Sequence, residues 1–427
     1  MKIYLDSIGC RLNQAEIEEM AVKFRAAGHE IVALPDGADL AVINTCTVTA
    51  RAASDSRQKT RQVNRSGVGG IVLTGCWSTV EPGKAAAMEN VSRIVPNESK
   101  DHLVSEILAD AEPVFDLEPL ARQPIPGSRK RTRAFIKVQD GCNNRCAFCI
   151  TTVARGLGRS RQIPEVIRSI QSALQGGSQE VVLTGVHLGS WGKDLHKGER
   201  LGDLVQAILS QTDIPRLRLS SLEPWDLSAS FFELWQDERM CRNLHLPLQS
   251  GSVITLKRMT RNVTPASFAA LVSSARQAIP GVSITTDLIA GFPGETDQEF
   301  EETIDFVHQM QFSGGHVFTY SARPGTAAST FPNQVPHVVR KNRNAILRDI
   351  LLNSQQEYAR QFIDQELRVL WESASEMADG RWQLGGLADN YLHVTAESND
   401  SRWNQVDRVM IKKLEETGLL GEIGNLK

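Results

Sequence analysis

This 427-residue chain lacks the material for a disulfide framework, a membrane span or a basic coat. Its seven cysteines are an odd number in a large chain, which argues for metal binding or catalysis over disulfide pairing. No apolar run approaches the roughly 20 residues needed to cross a bilayer. The opening residues, MKIYLDSIGC, carry one lysine and then alternate like a strand. A secretion signal would instead place a long apolar stretch after a basic one. A formal net charge of −3 excludes a uniformly basic nucleic-acid coat but leaves room for a local basic patch. Aromatic residues are scarce, and neither internal repeats nor low-complexity tracts occur. The chain reads as a globular protein of two or three domains, expected in the cytoplasm and away from membranes.

What is present is a long alternation of strand and helix signals. KIYLDSIG, ADLAVINT and GGIVLTG read as strands, with the helix AEIEEMAVKFRAAG after the first. Short apolar strands separated by helices imply a parallel sheet covered on both faces. Each of these strands runs directly into a cysteine: Cys10, Cys46 and Cys76. Ligands of open α/β sheets gather outside the carboxyl ends of the strands, so three cysteines distant in sequence should meet at one sheet edge. Between Glu112 and Arg133 the periodicity lapses into a proline-bearing stretch. It closes on Arg129, Lys130, Arg131 and Arg133, an interdomain linker by composition.

After it, about six further strands follow, each but the first preceded by a helical segment, SFFELWQ among them. This pattern predicts a parallel sheet curled into a full or partial barrel with functional residues at the strand C-termini. A helix expected from about Val338 to Glu366 closes the region. The short strands beyond it suggest a compact β barrel of the oligonucleotide-binding sort. The expected division is 1–115, a linker at 116–133, a barrel at 134–363, and a small β barrel at 364–427.

The loop GCNNRCAFC carries Cys142, Cys146 and Cys149 in C-x3-C-x2-C spacing. Structural zinc and closed iron–sulfur sites normally take four ligands. A cubane held by three thiolates leaves one iron open, and the missing ligand would be a substrate. A zinc loop is the blander alternative. Cys241 fits neither triad and reads as a buried core cysteine. Other strand ends offer polar groups: Thr184 with Gly185, Ser220, Ser221 and Glu223, Gln249 with Ser250, and Asp287. Each alone could be no more than a helix cap. His187, His245 and His316 read as structural residues near strand ends.

The cysteine loop, with Phe148 before its last cysteine, resembles the signature of radical S-adenosylmethionine (SAM) enzymes. The ordered segments GCRLNQAE, INTCTVT, TGCW, QDGCNNRCAFCI, ARGLGRSR, HLPLQSGS, DLIAGFPGET and YSARPGT are similar to the methylthiotransferases of that superfamily, from the N-terminus through the barrel. The resemblance implies an α/β fold with an N-terminal parallel-sheet domain, a partial (β/α)6 radical SAM barrel and a C-terminal RNA-binding (TRAM) barrel. It implies two 4Fe-4S clusters, one on Cys142, Cys146 and Cys149, the other on Cys10, Cys46 and Cys76. The open iron of the first would chelate SAM, whose reductive cleavage gives a 5′-deoxyadenosyl radical. The second would present sulfur to the substrate carbon. Phe148, Thr184, Gly185, Ser220, Glu223, Gln249 and Asp287 become candidate SAM contacts, and Arg155, Arg159 and Arg161 candidate RNA contacts. The implied partners are a tRNA anticodon stem-loop, not DNA, and an electron donor such as flavodoxin or ferredoxin.

Three substrates occur in this family: N6-threonylcarbamoyladenosine in tRNA, N6-isopentenyladenosine in tRNA, and an aspartate of a ribosomal protein. GCRLNQAE, with Leu12 before Asn13 and Glu16 close behind, looks most like the bacterial threonylcarbamoyladenosine branch, whose segment is typically GCKVN-x-x-E. Arg11 replaces the usual lysine and keeps its charge. The rival of another class is a non-catalytic RNA-binding iron–sulfur protein. That reading would need a fourth protein ligand at each triad, and only Cys241 is left among the cysteines.

Overall fold

The computed structural model describes residues 1–108 and 132–424. The expected linker lies almost wholly outside them, as do Arg129, Lys130 and Arg131. In the N-terminal region β1 (Lys2–Ser7) leads into α1 (Arg11–Ala26), β2 (Glu30–Val32), β3 (Leu40–Thr45), α2 (Ala50–Arg65) and β4 (Ile71–Gly75). The short helices α3 (Cys76–Val80) and α4 (Pro82–Ala86), β5 (Val91–Val95) and α5 (Leu103–Leu108) complete it. The strands form one parallel sheet in the order β2-β1-β3-β4-β5. The central strands β3 and β4 are apolar and almost wholly buried, because helices cover both faces. The edge strands β2 and β5 were not foreseen. One is only three residues long and the other, VSRIV, is partly exposed, so neither gives a continuous apolar signal.

The second region runs through β6 (Arg133–Lys137), β7 (Gln139–Asp140), α6 (Thr151–Arg155), β8 (Arg159–Ser160), α7 (Ile163–Gln175), β9 (Glu180–Thr184), α8 (Leu201–Gln211) and β10 (Leu217–Leu219). It continues with β11 (Asn243–His245), α9 (Val253–Arg258), α10 (Pro265–Ala278), β12 (Ser283–Ala290), α11 (Asp297–Met310), β13 (Gly315–Thr319) and α12 (His337–Arg360). The sheets β6-β9-β10 and β11-β12-β13 are parallel and joined by a bridge between Ser221 and His245. The result is a six-stranded arc, a partial barrel. Val181, Leu183, Leu217, Leu219, Leu244, Ile284 and Leu288 pack outward with the helices. By the two-residue alternation of a strand, the intervening side chains face the lumen. Helix α1 enters that lumen, where its Ala15 packs on Phe135 and Val182.

Two helix expectations are corrected. SFFELWQ lies in a 3₁₀ helix, Ala229–Gln236, whose three-residue turn aligns Phe232 and Trp235 toward the same core. The closing helix ends at Arg360, because the chain turns at Asp364 (φ +62°) to pair with the last barrel.

That barrel comprises β14 (Glu366–Glu376), β15 (Trp382–Ala388), β16 (His393–Ser398), β17 (Val406–Glu415) and β18 (Gly418–Ile423), closed in the order β14-β15-β16-β18-β17. Its pairs are antiparallel except β16 with β18. Trp371 fills the centre and donates its indole N–H to Asp407 at 2.8 Å. The barrel docks on the arc through buried Arg216 and Arg218, both held by Glu180. They donate onward to the carbonyl oxygens of Arg368, Leu387, Ala388 and Asp389. Among the described residues no helix is long and apolar enough to cross a membrane.

Candidate active site

Strand β6 delivers the cysteine loop at the open end of the arc. Gly141 has φ +69°, and a Cβ there would stand 1.9 Å from the Leu157 oxygen, so only glycine fits. The two-residue ladder β7–β8 and the bond from Cys142 N–H to Gly156 O close the base of the loop. Each sulfur faces an N–H donor. Asn144 N lies 3.4 Å from Cys142 Sγ, Thr151 N 3.4 Å from Cys149 Sγ, and Arg261 Nη1 3.8 Å from Cys146 Sγ. Burial pushes the Cys146 thiol up to about 11 and raises Cys149 as well. A metal must therefore displace the protons, as thiolate ligands require. Three thiols with N–H donors on their sulfurs suit an iron–sulfur cluster with one open iron.

The N-terminal cysteines come from three neighbouring strands of one sheet. Cys10 precedes α1, Cys46 follows β3, and Cys76 opens α3 directly after β4. A Cβ on Gly9 would stand 2.6 Å from Cys46 Sγ, which puts that thiol against the residue preceding Cys10. Burial pushes Cys46 up to about 11, with Cys10 and Cys76 adding to the shift. Asn97 Nδ2 lies 3.7 Å from Cys76 Sγ, and Cys10 Sγ 3.7 Å from Asn13 Oδ1. Among the described residues no three His, Cys, Asp or Glu side chains close on a single ion. A cubane has irons at separate corners, so its thiolates need not converge on one point. Cys241 is buried elsewhere, its Sγ 3.7 Å from Glu180 Oε2.

Between the triads lies a buried charged node that sequence reasoning missed. Arg155 is 2 % exposed. Its guanidinium donates to Glu16 Oε1 at 2.9 Å, Asp140 Oδ1 at 2.8 Å and Asn13 Oδ1 at 2.6 Å. Lys100 reaches Glu16 at 2.8 Å and Lys137 lies 3.8 Å away. Burial alone would raise Glu16, but Arg155, Lys100 and Lys137 hold its carboxyl well below the usual range. Arg155 is therefore buried within this node, out of reach of an RNA phosphate, which departs from its expected role. Arg161 is committed to Glu19 at 2.7 Å, whereas Arg159 is 44 % exposed and its guanidinium lies 3.7 Å from Asp140. On the other side of the mouth, Arg323 donates to Thr47, next to Cys46, at 2.7 Å.

Two family profiles match the chain: the radical SAM superfamily over residues 136–307 and the uncharacterized protein family UPF0004 over residues 2–96. A threonylcarbamoyladenosine tRNA methylthiotransferase MtaB of Bacillus subtilis is 34 % identical, covering 95 % of this chain and 93 % of its own. The MtaB of Thermotoga maritima is 34 % identical over 98 % of this chain and 96 % of its own. The chain belongs to the radical SAM methylthiotransferases. A tRNA-2-methylthio-N(6)-dimethylallyladenosine synthase of Moorella thermoacetica is 30 % identical over 97 % of this chain and 96 % of its own. Among solved structures, the radical SAM methyltransferase TsrM of Kitasatospora setae shares the fold. Its TM-score is 0.56 at 15 % identity, over 77 % of this chain and 75 % of that one. Membership in the radical SAM family implies SAM and a 4Fe-4S cluster.

For this methylthiotransferase the remaining strand-end residues fall along the arc. Thr184 ends β9, buried, and its carbonyl accepts from Val138 N–H at 3.0 Å. A Cβ on Gly185 would stand 3.0 Å from Gln139 Oε1, so that approach is close. Ser220 is buried, and its Oγ has no hydrogen-bond partner among the described residues. Glu223 forms a fork with Arg261 at 2.7 and 3.1 Å, and Arg261 also covers Trp225. Phe148 stands edge-on to Phe292. Gln249 adopts φ +77° at the bridge to Leu288. The two carboxylate oxygens of Asp287 face His245 at 3.3 Å and His316 at 3.4 Å. His187 is tied to Asp226 and lies 3.8 Å from Cys142 Sγ. Asp226 and Arg261 gave no signal in the sequence, because nothing in their spacing links them to the cysteine loop.

Proposed function

We propose that this methylthiotransferase acts on tRNA, converting N6-threonylcarbamoyladenosine beside the anticodon to its 2-methylthio derivative. The observation that carries this reading is a difference among relatives. Four named for threonylcarbamoyladenosine are 33–34 % identical, and four named for the dimethylallyl substrate 28–30 %. The GCRLNQAE segment supports the same branch.

In this reading Cys142, Cys146 and Cys149 hold the cluster that binds SAM, and Cys10, Cys46 and Cys76 hold a second one. SAM bound at the first cluster would supply, on one-electron reduction, a 5′-deoxyadenosyl radical able to activate the strong aromatic C–H bond of adenine. The chain's own groups bind and orient. Phe148, Thr184, Gly185, Ser220, Glu223 and Gln249 line the SAM site, and the Arg155–Glu16–Asp140 node fixes one triad against the other. Residues 1–115 carry the second cluster, 134–363 the radical chemistry, and 364–427 tRNA binding together with Arg159. An electron donor such as flavodoxin or ferredoxin would supply the reduction. The test compares two anticodon stem-loops, one with each N6 substituent, incubated anaerobically with reconstituted enzyme, SAM and reductant. Faster turnover of the threonylcarbamoyl stem-loop supports the reading, and faster turnover of the isopentenyl one overturns it.

A further inference from the structure

The lumen faces of β12 and β13 carry four side chains that catalysis at the cysteine triads does not use. Asp287 and Ile289 alternate with outward-packing Leu288 and Ala290, and the register pairs Asp287 with His316 and Ile289 with Phe318. His316 is 74 % exposed and Phe318 41 %, although both lie on the concave side of the arc. Ile289 packs against the cluster that includes Ala147 of the cysteine loop, and Phe148 packs against the same cluster, so Phe318 lies one strand away from that loop. His316 is two residues further down, about 6–7 Å along the strand.

These two residues differ in chemistry. Phe318 offers an open aromatic face beside His316, the rings tilted by 31° at 6.2 Å, and exposed aromatics in a polar groove are stacking platforms for bases. His316 offers an imidazole N–H donor, and a cation when protonated. Its Nδ1 faces Asp287 at 3.4 Å, and its Nε2 makes no hydrogen bond among the described residues. The contact with Asp287 raises the His316 pKa, against partial burial and the nearby Arg11. His245 is already engaged on both ring nitrogens, by Asp287 and by Thr285 Oγ1 at 2.9 Å, and acts as the brace behind the pair. Arg11 is committed to Tyr391.

We infer that Phe318 and His316 form the subsite for the modified adenine, Phe318 stacking on the base and His316 pairing with the carboxylate of its N6 substituent. This rests on the threonylcarbamoyl reading and assigns it residues. An isopentenyl group at the same place would leave the His316–Asp287 pair facing an apolar chain, the kind of mismatch that polar sites reject strongly.

The experiment measures binding of the reconstituted enzyme to three anticodon stem-loops, carrying the threonylcarbamoyl group, its methyl ester, or the isopentenyl group. The wild type is expected to bind the free acid about tenfold tighter than the ester, the scale of one charge-assisted bond. In His316→Ala the gap should close to within about twofold, while His316→Gln, whose amide still donates, retains part of it. Phe318→Leu should weaken all three stem-loops alike. His316 is exposed, so its truncation leaves no cavity, and an unchanged melting temperature checks that the fold is intact. An acid–ester gap that survives in His316→Ala overturns the subsite but leaves the substrate reading standing. Tighter wild-type binding of the isopentenyl stem-loop overturns both.

Discussion

Cys142, Cys146 and Cys149 lie in one loop, whereas Cys10, Cys46 and Cys76 stand 36 and 30 residues apart and meet only because β1, β3 and β4 are neighbours in one sheet. The first triad depends on local backbone: the turn at Gly141, the β7–β8 ladder and the N–H groups of Asn144 and Thr151. The second depends on sheet register and on the buried node that ties α1 to α6. Local lesions should therefore disable one triad, and lesions at the domain boundary the other.

The largest effect comes from removing the ligands themselves. Replacing Cys142, Cys146 and Cys149 together by alanine should abolish both SAM cleavage and product while leaving about half the iron, held by Cys10, Cys46 and Cys76. The reciprocal triple variant should lose product yet still release 5′-deoxyadenosine. Iron analysis and chromatography of the two nucleoside products read this directly. Full methylthio product from the N-terminal variant would contradict the division of labour.

Next in size is Arg155→Met. It leaves Glu16 and Asp140 buried with less compensating charge, and should cost about 3–5 kcal/mol in an anaerobic denaturant titration. Arg155→Lys should lose less. A loss under about 1 kcal/mol for Arg155→Met would mean that the domains are held together by other contacts.

The joint to the C-terminal barrel gives a pH test. Burial alone would raise Glu180, but Arg218 and Arg216 hold it down to about 2 against an ordinary value of 4.5. A lowered carboxyl pKa stabilises in full above the ordinary value, and that contribution fades as pH falls from 4.5 through about 2. The stabilisation lost is about 3 kcal/mol. Acid unfolding followed by the fluorescence of buried Trp371 should move to higher pH in Glu180→Gln, with a flatter acid limb.

The smallest effect is expected at Arg159, the exposed member of the arginine segment. Arg159→Ala should weaken stem-loop binding only a few-fold and reduce the slope of log K against log salt by about 1. An unchanged slope would mean that this arginine touches no phosphate.

What the sequence made legible follows from the same contrast. The loop triad was visible in its spacing, and the distributed triad in the rule that strands of an open sheet deliver ligands at their carboxyl ends. The βα alternation foretold the arc because its strands and helices are each long enough to show their period. The node was invisible, since Glu16 and Arg155 are 139 residues apart and a charged residue reads as surface until its partners are known. For that reason Arg155 was placed on RNA. The histidines beside Asp287 read as structural, because register, not sequence, sets them around one carboxylate.

Arg216 and Arg218 reach across to the last barrel by grasping main-chain oxygens of residues 368 and 387–389. A grip on carbonyls reads the path of the chain and is indifferent to most of the side chains it carries. The side chains there are held for other reasons: Leu387 and Ala388 are buried, and Asp389 pairs with Arg242 at 2.6 Å. A foreign barrel with the same turn could be grafted onto this arc and seat in the same socket, which makes the last barrel exchangeable while the arc behind it stays fixed.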